Sequence, residues 1–167
     1  MDDEVSKLVA KIYSAFLTQD EINPMLEGVI DFVGGKMGFL WIEAGHTSAA
    51  AVFDVNLDPD AVGLYNAHYG ALDPRAENAL ASSVGSVVHF QEVVRNDEMR
   101  NTEYFEDFLP LIDTADGLNG IIGRSPAAGN VGMAIHRRFG DDFFDKTDSS
   151  KLTFLMQHHV KIGRANL

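Results

Sequence analysis

The sequence predicts an α+β domain in which helices flank a central, mainly antiparallel sheet. Three observations support this prediction. Two amphipathic helical stretches precede any strand, short apolar runs occur in pairs joined by turn residues, and helical stretches separate and follow those pairs. Paired strands with short connections form antiparallel ladders, whereas successive parallel strands need a crossover between them. The predicted order is helix, helix, strand pair, short helices, strand, helix, strand pair, helix.

The first two elements are predicted helices. The first has apolar residues at helical spacing, namely Val5, Leu8, Val9, Ile12 and Phe16. The second is expected to start where Asn23 precedes Pro24, because asparagine caps helix starts and proline fits the first turn. Gly34-Gly35 is expected to end it. Its apolar face consists of Met25, Leu26, Val29, Ile30 and Val33.

Apolar runs predict the strands. GFLWIEA and SAAAVFDV surround the turn residues Gly45 to Ser48 and predict a hairpin. GLNGIIGRS and VGMAIHRRF form a second pair, with a hinge from Pro126 to Asn130. A single strand is expected from Val84 to Phe90.

Further helices are expected between and after these strands. Asp58-Pro59 and Asp73-Pro74 each place a capping residue before proline, which predicts two short helices. Apolar residues from Tyr104 to Ile112 predict another helical face, and a last helix is expected from about Asp145.

Composition excludes several classes of function. A chain of 167 residues that is 46% hydrophobic can bury the core of one domain. The net charge of -12 would repel a phosphate backbone, so we expect no direct binding of nucleic acid. The count of zero cysteines rules out disulfides, thiolate metal sites and cysteine nucleophiles. An acidic, amphipathic N-terminus and the lack of an apolar run of about 20 residues predict a cytoplasmic protein without a membrane partner.

Small residues in the strands predict an internal cavity. Glycine and alanine stand where valine or isoleucine would ordinarily fill space, at Ala49, Ala50, Ala51, Gly120, Gly123, Gly132 and Ala134. Aromatic residues are expected around that space, and an apolar cavity with a few oriented polar groups is typical of small-molecule recognition. The predicted ligand-binding residues are Trp41, Tyr65, His68, Tyr69, Asp73, Phe105, Phe108 and Met133. The alternative for each ring is that it packs the core.

Histidines and carboxylates leave other functions open. The six histidines form no HxH or HExxH pattern, so we predict no metal site and no cofactor. His68 or His136 could still be an axial haem ligand, which keeps a haem-binding sensor as an alternative. Either histidine with a nearby carboxylate such as Asp73 could form the acid-base pair of a small cofactor-independent enzyme. Asp73 is also explained as a helix cap.

The first and last helices could pair across a homodimer. The last helix has an apolar strip of Leu152, Leu155, Met156, Val160 and Ile162. Each strip could instead cover one face of the sheet, and a purely structural dimerisation module is a further alternative.

A set of short motifs resembles a known family. They are Tyr65-x-x-His68-Tyr69-x-x-x-Asp73-Pro74-Arg75, Arg100-Asn101-Thr102-Glu103-Tyr104-Phe105, Phe108-Leu109-Pro110, Gly117-Leu118, His136-Arg137-Arg138, and Leu155-x-x-His158-His159-x-x-x-x-Arg164-Ala165. In this order and spacing, from Phe39 onward, the chain resembles the N-terminal sensory half of LuxR-type transcriptional regulators.

The resemblance implies a GAF-like or PAS-like domain over residues 1–167, with a ligand cavity on one face of the sheet and dimer-forming helices on the other. It also implies a bacterial, ligand-dependent signalling switch rather than an enzyme. Transcription would be regulated through a C-terminal helix-turn-helix, which lies outside this sequence. The tryptophan and aspartate pattern of acyl-homoserine-lactone receptors is not clearly matched, so the sequence assigns no ligand.

Overall fold

The computed structural model describes residues 3–15, 17–43, 50–94, 100–125 and 129–165. The helices are α1 (Asp3–Ala15), α2 (Ile22–Val33), α3 (Pro59–Ala67), α4 (Ala76–Ala81), α5 (Phe90–Val93), α6 (Leu109–Leu111) and α7 (Lys146–Ala165). The strands are β1 (Met37–Glu43), β2 (Ala50–Val55), β3 (Val87–His89), β4 (Asp116–Ser125) and β5 (Gly129–Arg137). Short 3-10 turns cover Gln19–Glu21 and Tyr69–Ala71, and a π-helical segment, Tyr104–Phe108, leads into α6. The predicted order of helices and strands is confirmed.

The five strands form one antiparallel sheet in the order β2-β1-β5-β4-β3. Within it, Trp41 of β1 lies opposite Ala51 of β2 and Gly132 of β5. Successive side chains of a strand point to opposite faces, so this register decides which residues meet on each face. The predicted α+β class with an antiparallel sheet is confirmed.

One face of the sheet packs against α1, α2 and α7. The main hydrophobic core lies there, and it combines residues from the first and last helices with residues of the inner strands. The prediction that the terminal helices pack together is therefore confirmed. The fully buried members of this core include Ile12, Leu26, Val29, Leu118, Met133, Ile135, Leu152, Leu155 and Met156.

Two helix boundaries follow the expected turn chemistry. The side chain of Asp58 accepts a hydrogen bond from the backbone N–H of Asp60, and Pro59 opens α3, as predicted. Gly34 ends α2 with φ of 83°, a left-handed conformation that glycine adopts without a steric penalty.

One predicted cap is wrong and another is altered. α2 begins at Ile22, so Asn23 lies inside its first turn instead of capping it. α4 begins at Ala76, later than Asp73-Pro74 predicts. The carboxylate of Asp73 still accepts a hydrogen bond from the backbone N–H of Arg75, as that of Asp58 does from Asp60, and it also binds the Arg75 side chain.

The single strand is shorter than expected, since its ladder with β4 covers Val87–His89 and the chain turns into α5 at Phe90. Several expectations lie outside the described residues. They concern Phe16, the turn Gly45 to Ser48, Ala49 and the centre of the second hinge at 126–128.

Arg137, at the end of β5, joins three segments on the helical side of the sheet. Its guanidinium donates to the carbonyl of Gly34, at 2.8 Å, and to a carboxylate oxygen of Asp148 in α7, at 3.0 Å. It also stacks on the ring of Phe144, 4.1 Å from the centroid. The end of α2 and the start of α7 are thereby fixed to one strand end.

None of the helices in the described part of the chain is long and apolar enough to cross a membrane.

Candidate functional site

The face of the sheet opposite the terminal helices contains two adjoining cavities. They lie among the sheet, α3, α4 and residues 69–75. The larger cavity measures about 100 Å³ and the smaller one about 30 Å³. Residues that line both are Phe39, Tyr65, Arg75 and His136. Further residues of the larger cavity are Trp41, Glu43, Gly70, Asp73, Ala76, Ala79, Leu80, Phe90, Asn119 and Ala134. Further residues of the smaller cavity are Ala51, Leu57, Ala61, Val62, Tyr104, Phe108 and Ile112.

A buried ion pair forms one wall of the larger cavity. The guanidinium of Arg75 donates two hydrogen bonds to the carboxylate of Asp73, each at 2.6 Å. The backbone N–H of Arg75 donates to the same carboxylate at 2.9 Å. Both side chains are less than one tenth exposed. The charges therefore compensate one another where water cannot, as a buried pair requires.

Two tyrosine hydroxyls complete the surroundings of Asp73. Tyr65 Oη, from α3, lies 3.2 Å from a carboxylate oxygen of Asp73, and Tyr104 Oη, from the π-helical segment, lies 3.1 Å from the same oxygen. Arg75 also donates to Tyr104 Oη. Three separate segments of chain thus meet at one carboxylate.

The charge state of this cluster follows from its contacts. Burial by itself would raise the pKa of Asp73, but the charge of Arg75 and the hydrogen bonds it donates hold that pKa below its ordinary value. Burial raises the pKa of both Tyr65 and Tyr104. At neutral pH the cluster accordingly contains a carboxylate, a guanidinium and two protonated hydroxyls.

Arg75 retains one unused donor. Its guanidinium stacks on the ring of Phe90, 3.8 Å from the centroid, and lies 4.9 Å from the centroid of Tyr104. Nε and Nη2 bind Asp73, whereas Nη1 is buried and has no hydrogen-bond partner. A buried donor without a partner costs about 1–3 kcal/mol, and more when it is charged, so this atom needs explaining.

His136 lies on the floor of both cavities. Its ring meets Phe39 and Phe90 edge-on, at centroid distances of 5.4 and 5.3 Å, and Nδ1 lies 3.3 Å from Thr114 Oγ1. Burial, aided by the positive charge of Arg75, lowers the pKa of His136 to about 3. The imidazole is therefore neutral at physiological pH.

Two polar pairs lie toward the other end of the larger cavity. The indole N–H of Trp41 donates to Asn119 Oδ1 at 3.0 Å, and Asn130 Nδ2 donates to a carboxylate oxygen of Glu43 at 2.6 Å. Phe39, Trp41 and Glu43 alternate along β1 and so share one face. The wall of the larger cavity therefore includes aromatic rings near Arg75 and, farther along β1, the carboxylate of Glu43.

The structure brings four of the eight predicted ligand-binding residues to the cavities. Trp41, Tyr65 and Asp73 line the larger one, and Phe108 lines the smaller one. Tyr69 lies behind them, stacked on Phe108 at a centroid distance of 4.6 Å.

The other three predicted residues lie elsewhere. His68 is exposed and pairs with Glu103 at 2.7 Å. Phe105 contacts the ring of Tyr104 edge-on, and it lines neither cavity. Met133 is fully buried on the opposite face, in the core with the terminal helices. Its neighbours in β5 alternate between the faces, so Ala134 reaches the cavity and Met133 does not.

Sequence reasoning missed several residues of the site. Phe39 and Glu43 could have been found, because each is two residues from Trp41 on a predicted strand. Asn119 is a polar residue inside an apolar run, which is itself a signal. Arg75 belongs to the motif that ends Asp73-Pro74-Arg75, but that motif gave no sign of its burial, which depends on segments about 15 and 30 residues away.

The small strand residues leave less space than predicted. A Cβ atom on Gly132 would lie 2.1 Å from the Trp41 ring, and one on Gly120 would lie 2.7 Å from the sulfur of Met156. Those spaces are filled by side chains of the protein itself. Of the predicted small residues within the described ranges, Ala51 and Ala134 border the cavities, and the prediction is confirmed at these two.

No group of three or more histidine, aspartate and glutamate side chains in the described ranges could hold a metal ion. The two histidines considered for haem differ in position, since His68 lies at the surface and His136 lines the cavities. The low pKa of His136 makes it a weak base, which does not favour an acid-base role at neutral pH.

Solved structures share this arrangement of helices and strands. The ligand-binding domain of VqsR from Pseudomonas aeruginosa aligns with a TM-score of 0.67 at 13% identity, over 96% of this chain and 98% of that one. CepR2 from Burkholderia cenocepacia, an N-acylhomoserine-lactone-dependent LuxR-family transcription factor, aligns with a TM-score of 0.66 at 14% identity, over 97% and 95%. SdiA from Escherichia coli aligns with a TM-score of 0.67 at 13% identity, over 98% and 68%. The chain has the fold of a LuxR-type ligand-binding domain.

A GAF domain from an Acinetobacter phosphoenolpyruvate-protein phosphotransferase also aligns, with a TM-score of 0.54 at 16% identity over 99% of this chain and 96% of that one. No protein-family model matches the sequence. No curated protein matches it either. The predicted GAF-like fold is confirmed, and the predicted resemblance to LuxR-type sensory domains is confirmed at the level of structure.

Proposed function

We propose that this chain is a small-molecule-binding, signal-sensing domain of the LuxR type, and that it binds its ligand in the larger cavity. The observation that carries the proposal is the buried Asp73–Arg75 pair in the wall of an aromatic cavity. A stable core does not require such a pair, since well-packed apolar residues of similar volume are often as stable. A few oriented polar groups in an apolar cavity are typical of ligand sites.

Solved structures of this fold support a small-molecule partner. CepR2 is described as dependent on N-acylhomoserine lactone, and one SdiA structure contains octanoyl-rac-glycerol. We propose binding without chemical conversion for this chain, because the histidine in its cavity is neutral and a weak base.

We further propose that the domain acts in the cytoplasm as a dimeric switch within a transcriptional regulator, with DNA bound only by a separate output domain. The terminal helices would form the dimer, since α1 and α7 lie side by side on the face opposite the cavity. Tyr13 on α1 is 44% exposed and Phe154 on α7 is 37% exposed, which leaves aromatic surface for a second copy. Ligand binding would change how these helices pack.

Native mass spectrometry of the whole protein tests ligand binding. We expect a non-covalent adduct, either retained from the expression host or formed with an extract of small molecules, and an absorption spectrum without haem or flavin bands. Ala79→Leu should remove the adduct, because Ala79 is 4% exposed and lines the larger cavity. The matched control is Ala81→Leu, at an exposed position of the same helix.

Equal adduct levels in Ala79→Leu and Ala81→Leu would contradict the proposal, since filling the cavity would then have no effect. Haem bands in the absorption spectrum would replace it with the haem-sensor alternative.

A further inference from the structure

A third cavity lies apart from the two described above and shares one lining residue, Phe90, with the larger of them. It measures about 320 Å³ and is bordered by α5, the π-helical segment, the start of α6, the residues just before β4 and the turn after β5. Clefts that bind small molecules commonly have volumes of about 300–1,000 Å³. The third cavity is therefore large enough for a ligand of its own.

The lining of the third cavity is mainly aromatic. Its four rings are those of Phe90, Phe105, Phe139 and Phe143. Phe139 and Phe143 are each 55% exposed, although phenylalanine is among the residues most often buried. Single exposed apolar side chains are ordinary, whereas several around one cleft mark a binding surface. The rings would contact the apolar part of a ligand.

One guanidinium lies beside these rings. Arg100 lines the third cavity, and its Nη2 donates to Gln91 Oε1 at 3.2 Å and to the carbonyl of Val94 at 3.4 Å. Gln91 is itself anchored, since its Nε2 donates to the fully buried carboxylate of Asp116 at 3.2 Å. These contacts position the guanidinium and leave its Nε and Nη1 without a partner among the residues that the structure describes.

The charge of Arg100 is available to a ligand. Both of its acceptors are neutral oxygens, one of an amide and one of a backbone carbonyl. Asp141 also lines the third cavity, but its carboxylate accepts a hydrogen bond from the backbone N–H of Arg138, at 3.0 Å. Within the described part of the chain it forms no ion pair with Arg100. A carboxylate is the complementary group, because hydrogen bonds from a guanidinium to a carboxylate are charge-assisted.

We propose that the third cavity is a second binding site, which takes a monocarboxylate with an aromatic or other apolar body. The carboxylate accepts hydrogen bonds from Arg100, and the body lies against the phenylalanine rings. This inference does not depend on the proposed function, because it concerns a different cavity. The opposite occupant is an organic cation held by Asp141 and the rings, which a positively charged probe distinguishes.

Three probes with the same phenylpropyl body test the site: 3-phenylpropanoate, 3-phenylpropan-1-ol and 3-phenylpropylamine. In a ¹H–¹⁵N NMR titration of the whole protein at physiological salt, the backbone amide of Gly140 reports the third cavity. The indole N–H of Trp41, the single tryptophan of the chain, reports the larger one. We expect the carboxylate to bind at least about threefold more tightly than the alcohol or the amine, because it alone pairs with Arg100.

Arg100→Gln should lower the affinity of the carboxylate by at least about threefold, to that of the alcohol, and should change alcohol binding by less than about twofold. The matched control is Arg138→Gln, which removes the same charge from a side chain that is 50% exposed and does not line the third cavity.

Two further variants locate the bound body. Phe143→Ala should weaken all three probes, whereas Leu111→Ala, at an equally exposed position outside the third cavity, should weaken none. Ala79→Leu fills the larger cavity and should leave binding of 3-phenylpropanoate unchanged.

Equal affinities of the carboxylate and the alcohol, or equal losses for both in Arg100→Gln, would overturn the role of Arg100 and the carboxylate class. Tightest binding of the amine would assign the cavity to a cation and would overturn the proposal. Shifts at Trp41 without shifts at Gly140, or no shift at either, would overturn the third cavity as a site. None of these results would contradict the proposed function, whose own test is the adduct lost in Ala79→Leu.

Discussion

Arg75 is the single side chain on which the site depends most. Removal of one partner from a buried ion pair leaves the other charge uncompensated, so we expect Arg75→Met to lower the free energy of unfolding by about 3–5 kcal/mol. Urea denaturation at pH 7 measures this change. Arg138→Met, at the half-exposed pair with Asp113, should cost less than about 1 kcal/mol.

The double variant Asp73→Asn/Arg75→Met provides a further check on the same pair. It removes both charges of the pair, so it should be more stable than Arg75→Met alone. An Arg75→Met protein as stable as the wild type would show that the pair is not buried in solution.

His136 should make stability depend on pH. The unfolded chain protonates this histidine below about pH 6.5, whereas the folded protein does so only near pH 3. The unfolded state therefore binds more protons in this interval, and stability falls as the pH falls through it. Between pH 7 and pH 5 the wild type should lose roughly 2 kcal/mol more than His136→Phe does. The measurement is urea denaturation of both proteins at each pH, and parallel losses would contradict it.

The residues that sequence reasoning found and missed differ in a physical way. Trp41, Tyr65 and Asp73 were found because an aromatic residue in an apolar strand, and aromatic and acidic residues beside a predicted helix start, are visible in a linear pattern. Arg75 was missed because its burial is created by Phe90 and Tyr104, which only the fold brings to it. The sequence shows which residues can be polar partners. It does not show which of them are in contact when they are far apart along the chain.

For strands, the pattern predicted where each one lies but not which face each residue takes. Small residues occur on both faces of β4 and β5, so the alternation of large and small side chains did not show which residues face the cavity. Met133 was therefore predicted on the wrong side of the sheet.

The helix expected from Tyr104 also differs from its prediction. It begins as a π-helical segment, in which Tyr104 and Phe108 both point inward. Helical periodicity of 3.6 does not predict that wider turn.

The β1–β5 pair depends on a close approach between Gly132 and Trp41. Because a Cβ atom there would lie 2.1 Å from the indole, we expect Gly132→Ala to lower the free energy of unfolding by about 1–3 kcal/mol and to displace the ring. The matched control is Gly123→Ala in β4, where nothing lies within 4 Å of the added carbon. Thermal denaturation measures the loss, and the Trp41 indole resonance measures the displacement. Equal stability of both variants would show that the indole does not occupy this position.

For the domain as a whole, the proposed dimer should depend on the exposed rings of the terminal helices. We expect Tyr13→Glu with Phe154→Glu to shift the protein from dimer to monomer at micromolar concentration, because two carboxylates would be buried on association. Native mass spectrometry and size-exclusion chromatography measure the shift. The control is Leu111→Glu on α6, at a position 55% exposed outside the terminal helices. A dimer that persists in the double variant would place the interface elsewhere.

Finally, the position of Arg137 gives the two sides of the sheet a direct covalent link. The residue before it, His136, lies on the floor of the cavities, whereas Arg137 holds the end of α2 and the start of α7. In the proposed switch, a displacement of His136 by a ligand would move the neighbouring Arg137, whose side chain would pass the change to α2 and α7.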